Sequence, residues 1–227
     1  MIRTLFALCL WIAVPVAAAA PSNAPTATLP AGLTQIDQGW IYRPQRVAEK
    51  WPLLVLLHGA GDGARHMIEL LKSDADRGGY IILAPDSEGL TWDLFEEAGY
   101  ARDPARIDAA MRDLAARVPI DRNRIAIAGF SDGASYALSF GIANPQVFRG
   151  VLAMSPGFLD LAAKVDPTQR LFITHGRRDQ GLSWRKVARD FVPRLKKAGM
   201  RPRTRWFAGG HWIDKAIYPE AVDYVLD

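Results

Sequence analysis

Short apolar runs alternate along the chain with stretches in which apolar residues recur every three or four positions. Trp51–Leu57 is continuously apolar, the pattern of a strand buried on both faces. Tyr80–Ala84, stopped by Pro85, and Arg124–Ala128 read the same way. Phe148–Met154 and Leu171–His175 add two more strands, with Gly39–Arg43 the first and Arg203–Phe207 the last. Between them lie helical patterns. His66–Lys72 carries Met67, Leu70 and Leu71; Pro104–Val118 places Ile107, Ala110, Met111, Leu114 and Val118 on one face. Ala134–Ala143 and Lys215–Leu226 are further helices. Trp184–Lys197 is helical up to a Gly199 C-cap, and Pro193 within it predicts a kink or break. Ser87–Gly99 shows no period and reads as a loop. Buried-type strands alternating with helices predict an α/β fold: a mostly parallel central sheet with helices on both faces and no large cap domain. In such sheets ligands bind at the carboxyl ends of the strands.

The N-terminus departs from this pattern. Arg3 precedes an almost wholly apolar run, Leu5–Val16, and Ala17–Ala20 supplies small residues for cleavage. This is the layout of a secretory signal peptide, expected at residues 1–19, with cleavage after Ala18 or Ala19. The Pro-, Ala-, Ser- and Thr-rich residues 20–34 read as a flexible lead, and 35–227 as a single domain. The protein is therefore expected to be exported, periplasmic or secreted, with no stable membrane span after cleavage. An uncleaved signal would leave an N-terminal anchor. Cys9, the single cysteine, lies inside the signal, which excludes a cysteine nucleophile or a thiolate-bound metal in the mature protein. The net charge of +4 is spread along the chain, without the concentrated basic face that nucleic acid requires.

The chemistry centres on Gly129-Phe130-Ser131-Asp132-Gly133, between a buried strand and a helix. A serine with glycines as both second neighbours in that setting is the pattern of a nucleophile elbow. The competing reading is a loop glycine pair beside a helix N-cap serine. A serine nucleophile needs a base, and the base needs an orienting carboxylate. Downstream lie two histidines. His211, in Ala208-Gly209-Gly210-His211, follows the last strand on a glycine-rich loop and is the expected base. His175 ends the preceding strand and is expected to be structural, bonding neighbouring backbone. Asp179, four residues later, is taken as the acid, with Asp214, Asp160 and Asp166 as alternatives. Two backbone N–H groups should hold the oxyanion: that of Asp132 at the helix start and that of Ala60 in the turn His58-Gly59-Ala60-Gly61. His58 then stabilises the turn.

Four stretches together resemble the α/β-hydrolase superfamily, in particular its small carboxylesterase, phospholipase and acyl-protein-thioesterase-like branch. They are Leu57–Asp62, Gly129–Ala134, His175–Asp179 and Gly209–His211, spread over roughly residues 50–225. Thr91-Trp92-Asp93 is similar to a Trp-containing segment that such enzymes place near the site. The resemblance implies a Ser131–His211–Asp179 triad, an oxyanion hole at Ala60 and Asp132, and hydrolysis of carboxylic esters or thioesters through an acyl-enzyme. It implies no metal and no organic cofactor. Many members of this branch carry Gln where this chain has Asp132, whose negative side chain should disfavour an anionic substrate close to the elbow. Trp92, Phe158, Trp184 and Trp212 are candidate pocket walls, with core filling an equal alternative for each, and Phe130 is expected to pack under the elbow. The expected partner is a small-molecule or lipid-like ester, with no preference read for oligomeric state. The rival readings are a serine peptidase on the same scaffold and a non-catalytic binding protein that keeps the fold.

Overall fold

The computed structural model describes residues 28–95 and 102–227. The signal segment, Cys9, most of the lead and residues 96–101 of the expected loop lie outside the described residues. Among those described, eight strands form one sheet in the order β1-β2-β4-β3-β5-β6-β7-β8. The strands are β1 (Gly32–Ile36), β2 (Gly39–Arg43), β3 (Trp51–Leu57), β4 (Ile81–Pro85), β5 (Ile120–Phe130), β6 (Gly150–Met154), β7 (Arg170–Gly176) and β8 (Arg203–Phe207). β1 and β2 run antiparallel at one edge, and β4, β3, β5, β6, β7 and β8 are mutually parallel.

The apolar runs become buried strands because alternate residues feed two cores. Leu53, Val55 and Leu57 of β3 face one cluster, and Leu54 and Leu56 the other. Val151 and Ala153 of β6 likewise oppose Leu152 and Met154. The first cluster is closed by α2 (Asp103–Arg117), through Ile107, Ala110, Met111 and Leu114, and by α3 (Asp132–Ala143). The second is closed by α1 (Ala64–Gly78) and α6 (Tyr218–Leu226), through residues such as Met67, Leu71, Val222 and Val225. Each fully buried Leu or Val adds about 1.5–3 kcal/mol of transfer free energy, so burial on both faces fixes the register.

Several boundaries differ from the sequence pattern. β1 begins at Gly32, inside the stretch expected to be flexible lead; it pairs with β2 from Gly32↔Arg43 to Ile36↔Gly39. α1 extends well past Lys72 and stops where Gly79 takes φ 69° and its N–H bonds Ala75 O. β5 starts earlier than expected, at Ile120, because its pairing with β3 is irregular between Trp51 and Leu53, around Pro52. β6 starts at Gly150, not Phe148, and α6 at Tyr218, not Lys215. Asp214 caps the preceding turn by accepting the N–H groups of Ala216 and Ile217. Pro193 does not break the helical run, which continues from Trp184 to Lys197. Within it α4 (Trp184–Lys186) passes through a π-turn, Val187–Phe191, into α5 (Val192–Lys197). The Val192 N–H reaches back five residues to Val187 O, a widening that accommodates a residue with no N–H to donate.

Candidate active site

The carboxyl ends of β3, β5, β6, β7 and β8 lie along one edge of the parallel sheet, and the candidate residues follow them. Ser131 sits between β5 and α3 with φ 56° and ψ −119°, a backbone conformation that side chains rarely adopt. Its glycine neighbours make the turn possible by close approach. A Cβ on Gly129 would lie 2.1 Å from Gly133 O, and one on Gly133 would lie 2.4 Å from His58 O. The strained residue is tied on both sides. Its N–H donates to Met154 O (3.0 Å), and its carbonyl accepts the N–H of Ser135 (3.0 Å). Ser135 Oγ in turn accepts the N–H groups of Gly157 and Phe158, coupling the elbow to the loop after β6.

His211, on the loop after β8, faces Ser131. Its Nε2 is 2.9 Å from Ser131 Oγ, and its Nδ1 is 2.6 Å from Asp179 Oδ2. A carboxylate only accepts, so Nδ1 carries the proton and Nε2 is left to accept from the serine hydroxyl. The other oxygen of Asp179 accepts the N–H groups of Gly181 (2.9 Å) and Leu182 (2.8 Å). Burial works to raise the Asp179 pKa, but the bonds from Leu182, His211 and Gly181 outweigh it and hold the carboxyl below its ordinary value. The Phe130 ring does not pack only beneath the turn; it lies against the imidazole of His211, 4.8 Å between centroids.

His58 stabilises its turn through both ring nitrogens. Ser87 N–H donates to Nε2 (3.0 Å), so the proton sits on Nδ1 and is donated to Gly59 O (2.8 Å). Gly59, the residue before Ala60 in this turn, is packed against Ser131: a Cβ there would be 3.3 Å from Ser131 Cβ. Asp132 is the first residue of α3, so its N–H has no carbonyl one turn back to bond.

The segment around Thr91-Trp92-Asp93, expected near the site by resemblance, fastens these two turns together. Leu90 O accepts the Gly61 N–H (2.8 Å), Trp92 Nε1 donates to His58 O (2.8 Å), and Thr91 Oγ1 donates to Asp132 Oδ2 (2.7 Å). Asp132 is thereby engaged internally, next to the positive end of α3. Trp92 is fully buried between His58 and Tyr136, so it is a pillar behind the site and not a pocket wall. The other three expected aromatics lie nearer the surface. Phe158 is 37% and Trp212 52% exposed, the latter packed on Phe207. Trp184 is half-buried on Trp206, with the guanidinium groups of Arg177 and Arg185 over its ring. His175 is wholly buried. Asp160 and Asp166 lie apart from the histidine: the Asp160 N–H bonds Ser139 Oγ, and the Asp166 carboxylate accepts from Thr168. Among the described residues, no cluster of three or more His, Cys, Asp or Glu side chains is placed to hold a metal ion.

A family model described as "Alpha/beta hydrolase family" matches residues 54–224, well over half of the chain. The chain belongs to this family. Among curated relatives of this α/β hydrolase is a feruloyl esterase B from Neurospora crassa, 25% identical over 79% of the chain. Another is an acetylxylan esterase from Coprinopsis cinerea, 28% identical over 48% of it. The chain spans 64% of the length of the first and 32% of the second. A carboxylesterase structure from Mesorhizobium loti superposes with a TM-score of 0.65 at 18% identity, over 83% of this chain and 97% of that one. That likeness is one of fold. Among the described residues, no helix of the hydrolase is long and apolar enough to cross a membrane.

Proposed function

We propose that this α/β hydrolase is a serine esterase, cleaving carboxylic esters through a Ser131–His211–Asp179 triad. The observation that carries the reading is the unbroken chain of hydrogen bonds from Ser131 Oγ through the imidazole to the Asp179 carboxylate, 2.9 Å and 2.6 Å long. His211 Nε2 takes the Ser131 proton as Oγ attacks the ester carbonyl. The N–H groups of Ala60 and Asp132 hold the oxyanion of the tetrahedral intermediate. His211 then protonates the departing alcohol, and an acyl-Ser131 ester remains. Water, giving its proton to the same Nε2, attacks this ester and releases the acid. Asp179 stays ionised throughout and stabilises the imidazolium. No step calls for a metal or an organic cofactor. Thioesters are cleaved by the same steps with a thiol as leaving group.

The two curated relatives carry the names of a feruloyl and an acetylxylan esterase, which points to acyl esters of plant polysaccharides as the substrate class. Phe158, Trp184 and Trp212 are proposed to wall the acyl site. We also propose that residues 1–19 are a signal peptide and that the hydrolase works outside the cytoplasm, on the strength of the apolar Leu5–Val16 run. The decisive test is Ser131→Ala assayed on p-nitrophenyl acetate and methyl ferulate. Hydrolysis should fall to background with the circular dichroism spectrum and melting temperature retained; unchanged turnover would refute the triad. An amide matched to the best ester separates a peptidase from an esterase.

A further inference from the structure

The mechanism above leaves His175 without a part, yet it is 0% exposed and lies against the proposed catalytic acid. Its Nε2 is 3.0 Å from Leu182 O and 3.1 Å from Asp179 Oδ2, the same oxygen that accepts from His211. Both neighbours are acceptors, so Nε2 must carry the proton. Leu182 O is the hydrogen-bond acceptor, with the carboxylate oxygen at a similar distance. The other nitrogen, Nδ1, is buried without a hydrogen-bond partner among the described residues. A ring so placed stays neutral: burial lowers its pKa more than Leu182 O and Asp179 raise it. It is thus no second base but a fixed N–H donor.

The position of that donor gives it a purpose. The turn Asp179–Leu182 is closed from inside by Asp179 Oδ1, which accepts the Gly181 and Leu182 N–H groups. His175 ties the far end of the same turn, the Leu182 carbonyl, to β7 and at once faces the carboxylate. A short, well-aligned bond to His211 needs Asp179 Oδ2 held to within a fraction of an ångström.

We propose that His175 is the positioning residue of the catalytic acid, clamping the Asp179–Leu182 turn so that Oδ2 meets His211 Nδ1. The proposal rests on the triad reading given above. It predicts a specific pattern of rescue. Gln carries a donor at the reach of Nε2, whereas Asn places its amide nearer the backbone and cannot span to Leu182 O. His175→Gln should retain kcat, and His175→Asn should lower kcat by ~10- to ~100-fold with KM changed by no more than about twofold.

Two NMR readouts do not depend on turnover. The His211 Nδ1 proton, in a 2.6 Å bond, should give a far-downfield resonance in the wild-type chain and in His175→Gln. It should be lost or moved upfield in His175→Asn. The nitrogen shifts of His175 in the unaltered chain should show a protonated Nε2 and a bare Nδ1. Equal downfield signals and equal kcat in the two variants, with only the melting temperature changed, would reduce His175 to packing and overturn the proposal. An Nδ1-protonated His175 would overturn it without any variant. If the wild-type chain hydrolyses no ester, the esterase reading fails on its own, and the NMR comparison still decides the clamp.

Discussion

Ser131 and Asp132 carry conflicting demands. In the proposed mechanism the serine needs an unfavourable backbone angle to present its oxygen, and the next residue needs a free N–H. Strain of this kind costs on the order of 1–3 kcal/mol and persists only where neighbours over-determine it. Here the Met154 and Ser135 bonds do so, aided by the Thr91 hydroxyl on Asp132 Oδ2. Thr91→Val removes a hydrogen bond to a charged group in a partly buried place, so stability should fall by about 1.5–3 kcal/mol in urea unfolding. kcat should fall too, because the start of α3 loses its tether. Stability equal to wild type would mean that Thr91 is dispensable there. Ser131, His211 and Asp179 were legible because their chemistry restricts residue type and their loops follow recognisable strands. The Thr91–Asp132 bond was not, although the resemblance put Thr91-Trp92-Asp93 near the site, since any polar residue serves in a loop and its partner is 41 positions away. Trp92 misled for a related reason: an aromatic near a site fits a wall or a pillar equally well, and its indole N–H on His58 O makes it a pillar.

At the scale of elements, the β5–Ser131–α3 unit depends on backbones passing closer than a methyl group allows. Gly129→Ala would put a Cβ 2.1 Å from the Gly133 carbonyl oxygen, which belongs to main chain that cannot step aside. The expected loss exceeds about 3 kcal/mol, beyond ordinary overpacking; a melting temperature within a few degrees of wild type would contradict the packing described. Strands buried on both faces, β3 to β7, were readable because apolar runs admit few other fates. β1 was not: Leu33 and Ile36 are its apolar residues in a Gly32–Ile36 strand at the edge of the sheet, where only one neighbour enforces the pattern. The second half of α1 was missed because beyond Lys72 it buries only Asp74 and Ala75, too little for a visible stripe. The proline signal at Pro193 was real: the helix passes through a π-turn just before it and does not stop there.

For the molecule as a whole, the strand order and alternating burial bring five loops to one edge, which is why residues 80 positions apart, Ser131 and His211, meet. The order of motifs in the chain was enough to anticipate this convergence, since a parallel sheet puts every strand's carboxyl end on the same side. The Leu5–Val16 segment is proposed above to be part of a cleaved signal peptide. N-terminal sequencing of chain recovered from outside the cytoplasm should begin within a residue or two of Ala19; a chain still starting at Met1 would mean that the segment is kept as an anchor. The central claim is that one serine is activated by its surroundings. Labelling the folded chain with a fluorophosphonate and mapping the adduct by peptide mass spectrometry tests it most directly. A single adduct on Ser131, abolished by His211→Ala, is the predicted result. A folded chain that takes no label, or takes it on another residue, would contradict the account.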